Sequence, residues 1–224
     1  MSLLVYAFAE ADADGIDGVG LDQQPLMAIE DDGVALVASR HAGPPVPAAE
    51  ALWRYEEVVE RLMARQAILP ARFGSVLADE DEARSVLRTR REELLRGIDR
   101  VRGAVELGIR ATWSEAPAPP AAHSGTEYML GQLDVHRRAG RAAEVVAPLA
   151  ALARDSTVKV LPRPSIPLMA AYLVDRDRTE EFVARAAELD ADFEDGQLLC
   201  TGPWPPYSFV QTATLDHELQ GERS

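Results

Sequence analysis

The 224-residue sequence holds one cysteine, Cys200, and one lysine, Lys159. A single thiol cannot close an intramolecular disulfide or anchor a cysteine-based metal cluster. Aromatic residues are only 6% of the chain, so any local concentration of them is informative. No apolar run approaches the roughly 20 residues that a membrane-spanning helix needs. The opening MSLLVYAFAEADAD has no basic lead-in and no clear cleavage site. It reads as a β-strand and not as a secretory signal, and the expected location is cytoplasmic. Positive charge is also scarce. The 37 Asp and Glu residues outweigh 23 Lys and Arg, for a net charge of -14, and the excess is shared evenly between the two halves. Proteins that bind phosphate backbones draw affinity from a basic face. The Arg-rich stretches Arg84–Arg102 and Arg137–Arg141 read as solvated helix faces, so neither a nucleic acid nor a membrane is an expected partner.

The usual signatures of catalysis are missing too. There is no phosphate-cradling glycine loop and no G-x-S-x-G nucleophile elbow. His41, His123, His136 and His217 are scattered without metal-ligand spacing. Asp79–Glu82 is a run of four acids, read as a helix start where the dipole favours negative charge, ahead of a cation site. Cys200 lies in an apolar run and reads as a buried core thiol. No catalytic residue, cofactor or metal is expected.

What the sequence does contain is alternating structure. Leu3–Ala9 reads as a strand. Leu26–Glu30 and Val34–Ser39 flank an Asp-Gly turn signal and read as a hairpin. From Ala48 to Gln66 the apolar residues recur every three to four positions, which predicts a helix with one buried stripe. Ile68–Leu77 is strand-like but broken by Pro70 and Gly74. A second helix follows Asp79–Glu82, and Val105–Trp113 returns as a strand. Two helices over one face of an antiparallel sheet predict a ferredoxin-like two-layer sandwich for residues 1–113. Residues 114–122, SEAPAPPAA, read as a Pro/Ala linker. A helix-rich α+β C-terminal domain is expected over 123–210, then a polar tail over 211–224. The predicted fold class is therefore α+β with two domains.

Two segments stand above this background. In LPARFGSV (Leu69–Val76), Arg72 either reaches a partner or bridges to Glu80 or Glu82, with Phe73 filling the core. In GPWPPYSFV (Gly202–Val210), prolines around Trp204 impose an extended path and remove backbone donors. That segment carries Trp204, Tyr207 and Phe209. A rigid backbone with large aromatic surface suits a docking site, and it equally suits a clamp holding the chain end to its own domain.

TGPWPPYSFV (Thr201–Val210) resembles the C-terminal motif of the gas vesicle protein F/L family. The same resemblance runs through VYAFA, LPARFGSVL, VELGIRATW and AAYLV in the family's order, over nearly all of Leu3–Val210. It implies an accessory or minor structural protein of gas vesicles, with a modified ferredoxin-like N-terminal domain and a C-terminal domain containing long helices. Implied partners are the small hydrophobic shell protein and other gas vesicle accessory proteins, and the implied location is the gas vesicle in the cytoplasm. Candidate partner contacts are Arg72, Phe73, Trp204, Tyr207 and Phe209. The competing reading is a ferredoxin-like small-ligand-binding or enzymatic domain, which would need a pocket with convergent polar groups.

Overall fold

The computed structural model describes residues 1–11, 16–113, 125–160, 168–194 and 196–210. The linker 114–122 and the tail 211–224 lie outside them. The class is α+β, with antiparallel sheets throughout. The chain divides into two compact units, Met1–Gly103 together with Pro205 onward, and Ala104–Trp204.

In the first unit, β1 (Ser2–Glu10) is the central strand. The hairpin β2 (Met27–Asp31) and β3 (Val34–His41) turns at Asp32-Gly33 as its sequence signals, and β3 pairs along the length of β1. The broken run after the first helix becomes two short pieces, β4 (Leu69–Pro70) and β5 (Val76–Leu77), both paired to β1. Pro70 lacks a ladder donor, and the turn between them closes with Ser75 N–H donating to the Arg72 carbonyl at 3.0 Å. The sheet order is β2-β3-β1-β4, with β5 also on β1.

The two helices are α1 (Ala49–Arg65) and α2 (Glu80–Val101). Tyr55, Val58, Val59 and Leu62 of α1 pack with Leu4, Tyr6, Ala7, Ala9 and Val37. Tyr6 and Ala7 share this face because a bulge between Val5 and Ala7 shifts the register of β1 against β3. Alternation then gives Leu3, Val5 and Phe8 to the opposite face. There Phe8 registers with Leu69, and Leu69 lies directly against Gly97 of α2. Arg88 and Arg91 of α2 pair with Asp31 and Asp32 at 3.4 and 2.9 Å.

The α+β class with antiparallel sheets is as expected, and the first unit's two helices pack against opposite faces of its sheet. The physical reason is visible in the strands themselves. LLVYAFA and VALVA do not alternate, and every one of those residues is buried. A strand that is apolar on both faces needs a cover on each.

The second unit is a sheet of order β7-β8-β6-β9, built from β6 (Ala104–Trp113), β7 (Asp155–Val160), β8 (Leu168–Asp175) and β9 (Gly196–Trp204). One face is covered by α3 (Gly125–Val146) and α4 (Thr179–Ala191), with a 3-10 turn over Ala147–Leu152 where Pro148 ends α3. Leu107, Ile109, Leu168, Tyr172, Val146 and Phe182 centre its core. Here the division differs from the expected boundary at 113. Strand β6 bonds to β8 along Ala104–Ala111 and to β9 along Gly108–Trp113, so it is the middle of the second unit's sheet. A strand belongs where its ladder is, and contiguity with α2 in sequence does not decide that.

Strand β9 is an edge strand, which is how it tolerates Pro203. Gly202 has φ +112°, and a Cβ there would stand 2.8 Å from the Glu106 carbonyl oxygen. Gly140 in α3 has nothing within 4 Å of a built Cβ. Gly202→Ala is expected to cost about 1–3 kcal/mol, whereas Gly140→Ala gains up to about 1 kcal/mol. Urea denaturation of both variants checks the opposite signs.

Candidate functional site

The aromatic-proline segment, which suits a docking site or a clamp in sequence, divides between an exposed and a packed part in the structure. Trp204 is the last residue of β9, across from Glu106, and its surface is 46% exposed. After it, Tyr207 N–H donates to the Pro205 carbonyl at 2.8 Å and Phe209 N–H to the Pro206 carbonyl at 3.1 Å. This closes a single 3-10 turn over Tyr207–Phe209. Phe209 is buried, and Tyr207 packs beside the α1 core cluster while its hydroxyl donates to the Glu56 carboxylate at 3.2 Å. Tyr207 and Phe209 therefore hold the chain end within the first unit, and the exposed aromatic surface is left to Trp204.

Glu56 bears the cost of that arrangement. Burial pushes its carboxyl above the usual glutamate range, the Tyr207 hydroxyl pulls it back, and nearby Glu60 raises it further. Its protonated form is the better tolerated one, so this group contributes stability below the unfolded pKa and loses it as pH rises through the folded value.

Arg72 and Phe73 also separate. Phe73 stands edge-on to Tyr55, ring centroids 5.3 Å apart, and fills the margin of the core. Arg72 is exposed. Glu80 is engaged by Arg40 and Arg84, and Glu82 accepts from Ala78 N–H at 2.6 Å. The acidic run is a helix start, with Asp79 capping α2 by accepting from Glu82 N–H at 2.9 Å. Among the described residues, no group of three or more His, Cys, Asp and Glu side chains is placed to hold a metal. Cys200 is half-buried against the second unit's core, and burial pushes its thiol up, away from the reactive thiolate.

Sequence reasoning missed one polar array. Leu21 N–H donates to the Tyr6 hydroxyl at 2.8 Å, and Tyr6 meets Ser39 Oγ at 2.8 Å. Ser39 Oγ lies 2.8 Å from His41 Nε2, and His41 Nδ1 lies 3.5 Å from Asp22. A consistent donor direction runs from Leu21 through Tyr6 and Ser39 to His41, whose other nitrogen faces the carboxylate. This is the order of a serine–histidine–aspartate nucleophile system. Ser39, however, has no exposed surface, so no acyl group reaches its hydroxyl. The array pins the 18–25 loop, where Asp22 and Gln23 have positive φ, onto the sheet. The signal available in sequence was Ser39-x-His41, two residues on one strand face. Asp22 and Tyr6 come from elsewhere in the chain and carry no spacing rule.

The fold and its surfaces define a class: an α+β protein of two sheet-bearing units that exposes aromatic and apolar side chains on a charged surface. Besides Trp204, these include Trp53 on α1, 74% exposed, and Met129, Leu130 and Leu133 on α3. No helix among the described residues is long and apolar enough to cross a membrane. The sequence profile of the family described as gas vesicle synthesis protein GvpL/GvpF matches residues 2–211, and the chain belongs to that family. It is 29% identical to gas vesicle protein L of Streptomyces sp. (strain CB03234), over 77% of this chain and 73% of that protein. Identity to gas vesicle protein F of the same strain is 26%, covering 94% of this chain and 100% of that one. Crystal structures of gas vesicle protein F from Anabaena sp. PCC7120 and Microcystis aeruginosa share the fold, with TM-scores of 0.78 and 0.79. They cover 94% of this chain and 96% and 99% of theirs, at 20% and 19% identity.

Two outcomes test the site chemistry. Ser39→Ala leaves Tyr6 and His41 facing a buried gap and is expected to cost about 1–3 kcal/mol in denaturant unfolding. Glu56→Gln keeps an acceptor for Tyr207 and removes the buried charge. Its melting temperature is expected to match or exceed that of the unmodified chain at neutral pH, with the difference shrinking as pH falls to about 4.

Proposed function

We propose that this chain is an accessory or minor structural protein of gas vesicle assembly that binds the hydrophobic shell protein and helps initiate or chaperone vesicle formation. The observation that carries the reading is the family match across residues 2–211. The physical character of the chain supports it. A net charge of -14 keeps a protein dispersed while it handles an aggregation-prone partner. Exposed Trp53 and Trp204 offer rigid apolar contact area on that acidic background. In this reading the chain works in the cytoplasm at the growing vesicle, without catalysis, and also meets other gas vesicle accessory proteins. Arg72 and Trp204 remain solvent-facing candidates for contact, while Phe73, Tyr207 and Phe209 would act through the surfaces they support.

Co-expression of the shell protein with and without this chain tests the reading. The expected result is a larger soluble fraction of shell protein and a complex that co-purifies. Trp204→Ala is expected to weaken the complex severalfold without changing the fold, since truncating an exposed aromatic anchor costs binding more than stability. Unchanged solubility and no complex would refute the role.

A further inference from the structure

The Arg-rich stretch of α2 reads in sequence as a solvated helix face, yet part of it walls a recess in the first unit. A cavity of about 240 Å³ is lined by Arg90, Glu93, Arg96 and Arg100 along α2, above an apolar floor that includes Phe8, Leu69, Leu94 and Phe209. The floor arises from Leu69 lying against Gly97, which brings the β4 fragment close under the helix. Phe209 joins it as the buried end of the aromatic-proline segment.

The rim is unbalanced in charge. Three guanidiniums and one carboxylate line the recess, and that carboxylate, Glu93, already takes two bonds from Arg90 at 3.1 and 2.8 Å. The Glu93 carboxylate holds the Arg90 fork, and the Glu92 carbonyl holds Arg96 by accepting from its Nε at 3.1 Å. On a chain with an acid excess of 14 charges, this recess carries surplus positive charge among its described lining residues. Arginine forks select planar carboxylates, and a floor of Phe and Leu rewards an apolar group beside the charge. A bare inorganic anion would leave the floor unfilled.

We propose that this recess captures the terminal carboxylate of a partner's peptide segment that ends in an apolar residue. The proposal deepens the partner-binding reading above and rests on it for the choice of a peptide as occupant. The carboxylate meets the Arg96 and Arg100 side of the rim, and the apolar group lies on Phe8, Leu69 and Phe209.

The test titrates the isotope-labelled full chain with N-acetyl-Leu-Leu-Phe as the free acid, as its C-terminal amide, and with octanoate. The expected result is free-acid binding with NMR shifts centred on residues 90–100 and 209. Amide binding should be at least about tenfold weaker, and the same loss should follow Arg96→Glu with Arg100→Glu. The control pair Arg137→Glu with Arg141→Glu should bind as the unmodified chain does. Equal binding of acid and amide, shifts centred elsewhere, no binding at millimolar peptide, or retained binding in the Arg96/Arg100 variant overturns the proposal. Tighter binding of octanoate than of the peptide also overturns it, giving the recess to a free amphiphile. Complex formation with the shell protein, scored in parallel, separates the two readings. Peptide capture without that complex removes the assembly role and keeps the recess, and the complex without peptide capture does the reverse.

Discussion

The bulge at Val5–Ala7 turns Tyr6 and Ala7 toward the same helix, and much of the first unit is arranged around that extra residue. Tyr6 stacks on Tyr55 with ring centroids 5.0 Å apart, and the Tyr55 hydroxyl reaches back to the carbonyls of Val5 and Ala71 at 2.8 and 2.9 Å. One phenol thus ties α1 to the bulged strand and to the broken strand beyond Leu69. Tyr6 in turn holds Leu21 and Ser39, and through Ser39 the histidine that faces Asp22. Burial pushes both phenols above their ordinary range, Tyr55 the more strongly, which keeps them neutral donors at physiological pH. The loop, the helix and the sheet edge are therefore positioned by neutral hydrogen bonds inside an apolar layer, where leaving any of them unmade is costly.

That inner arrangement leaves function to the outside. The acids and arginines of α2 pair along the surface, where such pairs contribute little to stability and set solubility and electrostatic character instead. Among the described residues, the features available to a partner include the exposed tryptophans, Met129, Leu130 and Leu133 of α3, the turn at Arg72, and the arginine-rimmed recess whose floor includes Phe209. In the motif that links the chain to its family, Tyr207 and Phe209 are structural and Trp204 faces solvent. An identifying motif and a binding motif need not be the same residues.

Much of the local structure was legible in the sequence because it rests on short-range patterns. The apolar stripe from Leu52 to Met63 gave α1 nearly to the residue, and Asp32-Gly33 gave the hairpin. Asp79–Glu82 gave the start of α2 through its cap. Which face each helix covers is harder to read, because β1 and β3 are apolar on both sides and alternation gives no preferred face. A linker's composition marks a change in chain character, whereas the place of β6 is set by bonds to strands far along the chain. The polar array and the recess were invisible for the same reason. Each joins residues whose meeting depends on register and helix placement, as Phe8, Leu69 and Phe209 show.

In the proposed role the chain captures a partner on its surface without refolding its core. Hydrogen–deuterium exchange on the chain alone and in the presence of the shell protein addresses it directly. Added protection is expected only in solvent-facing segments, around residues 90–100 and 201–210, with the exchange of β1, β3 and β6 unchanged. Protection spread through the core strands, as in a chain that folds only on binding, would contradict it. So would an exchange pattern that the shell protein leaves unaltered everywhere.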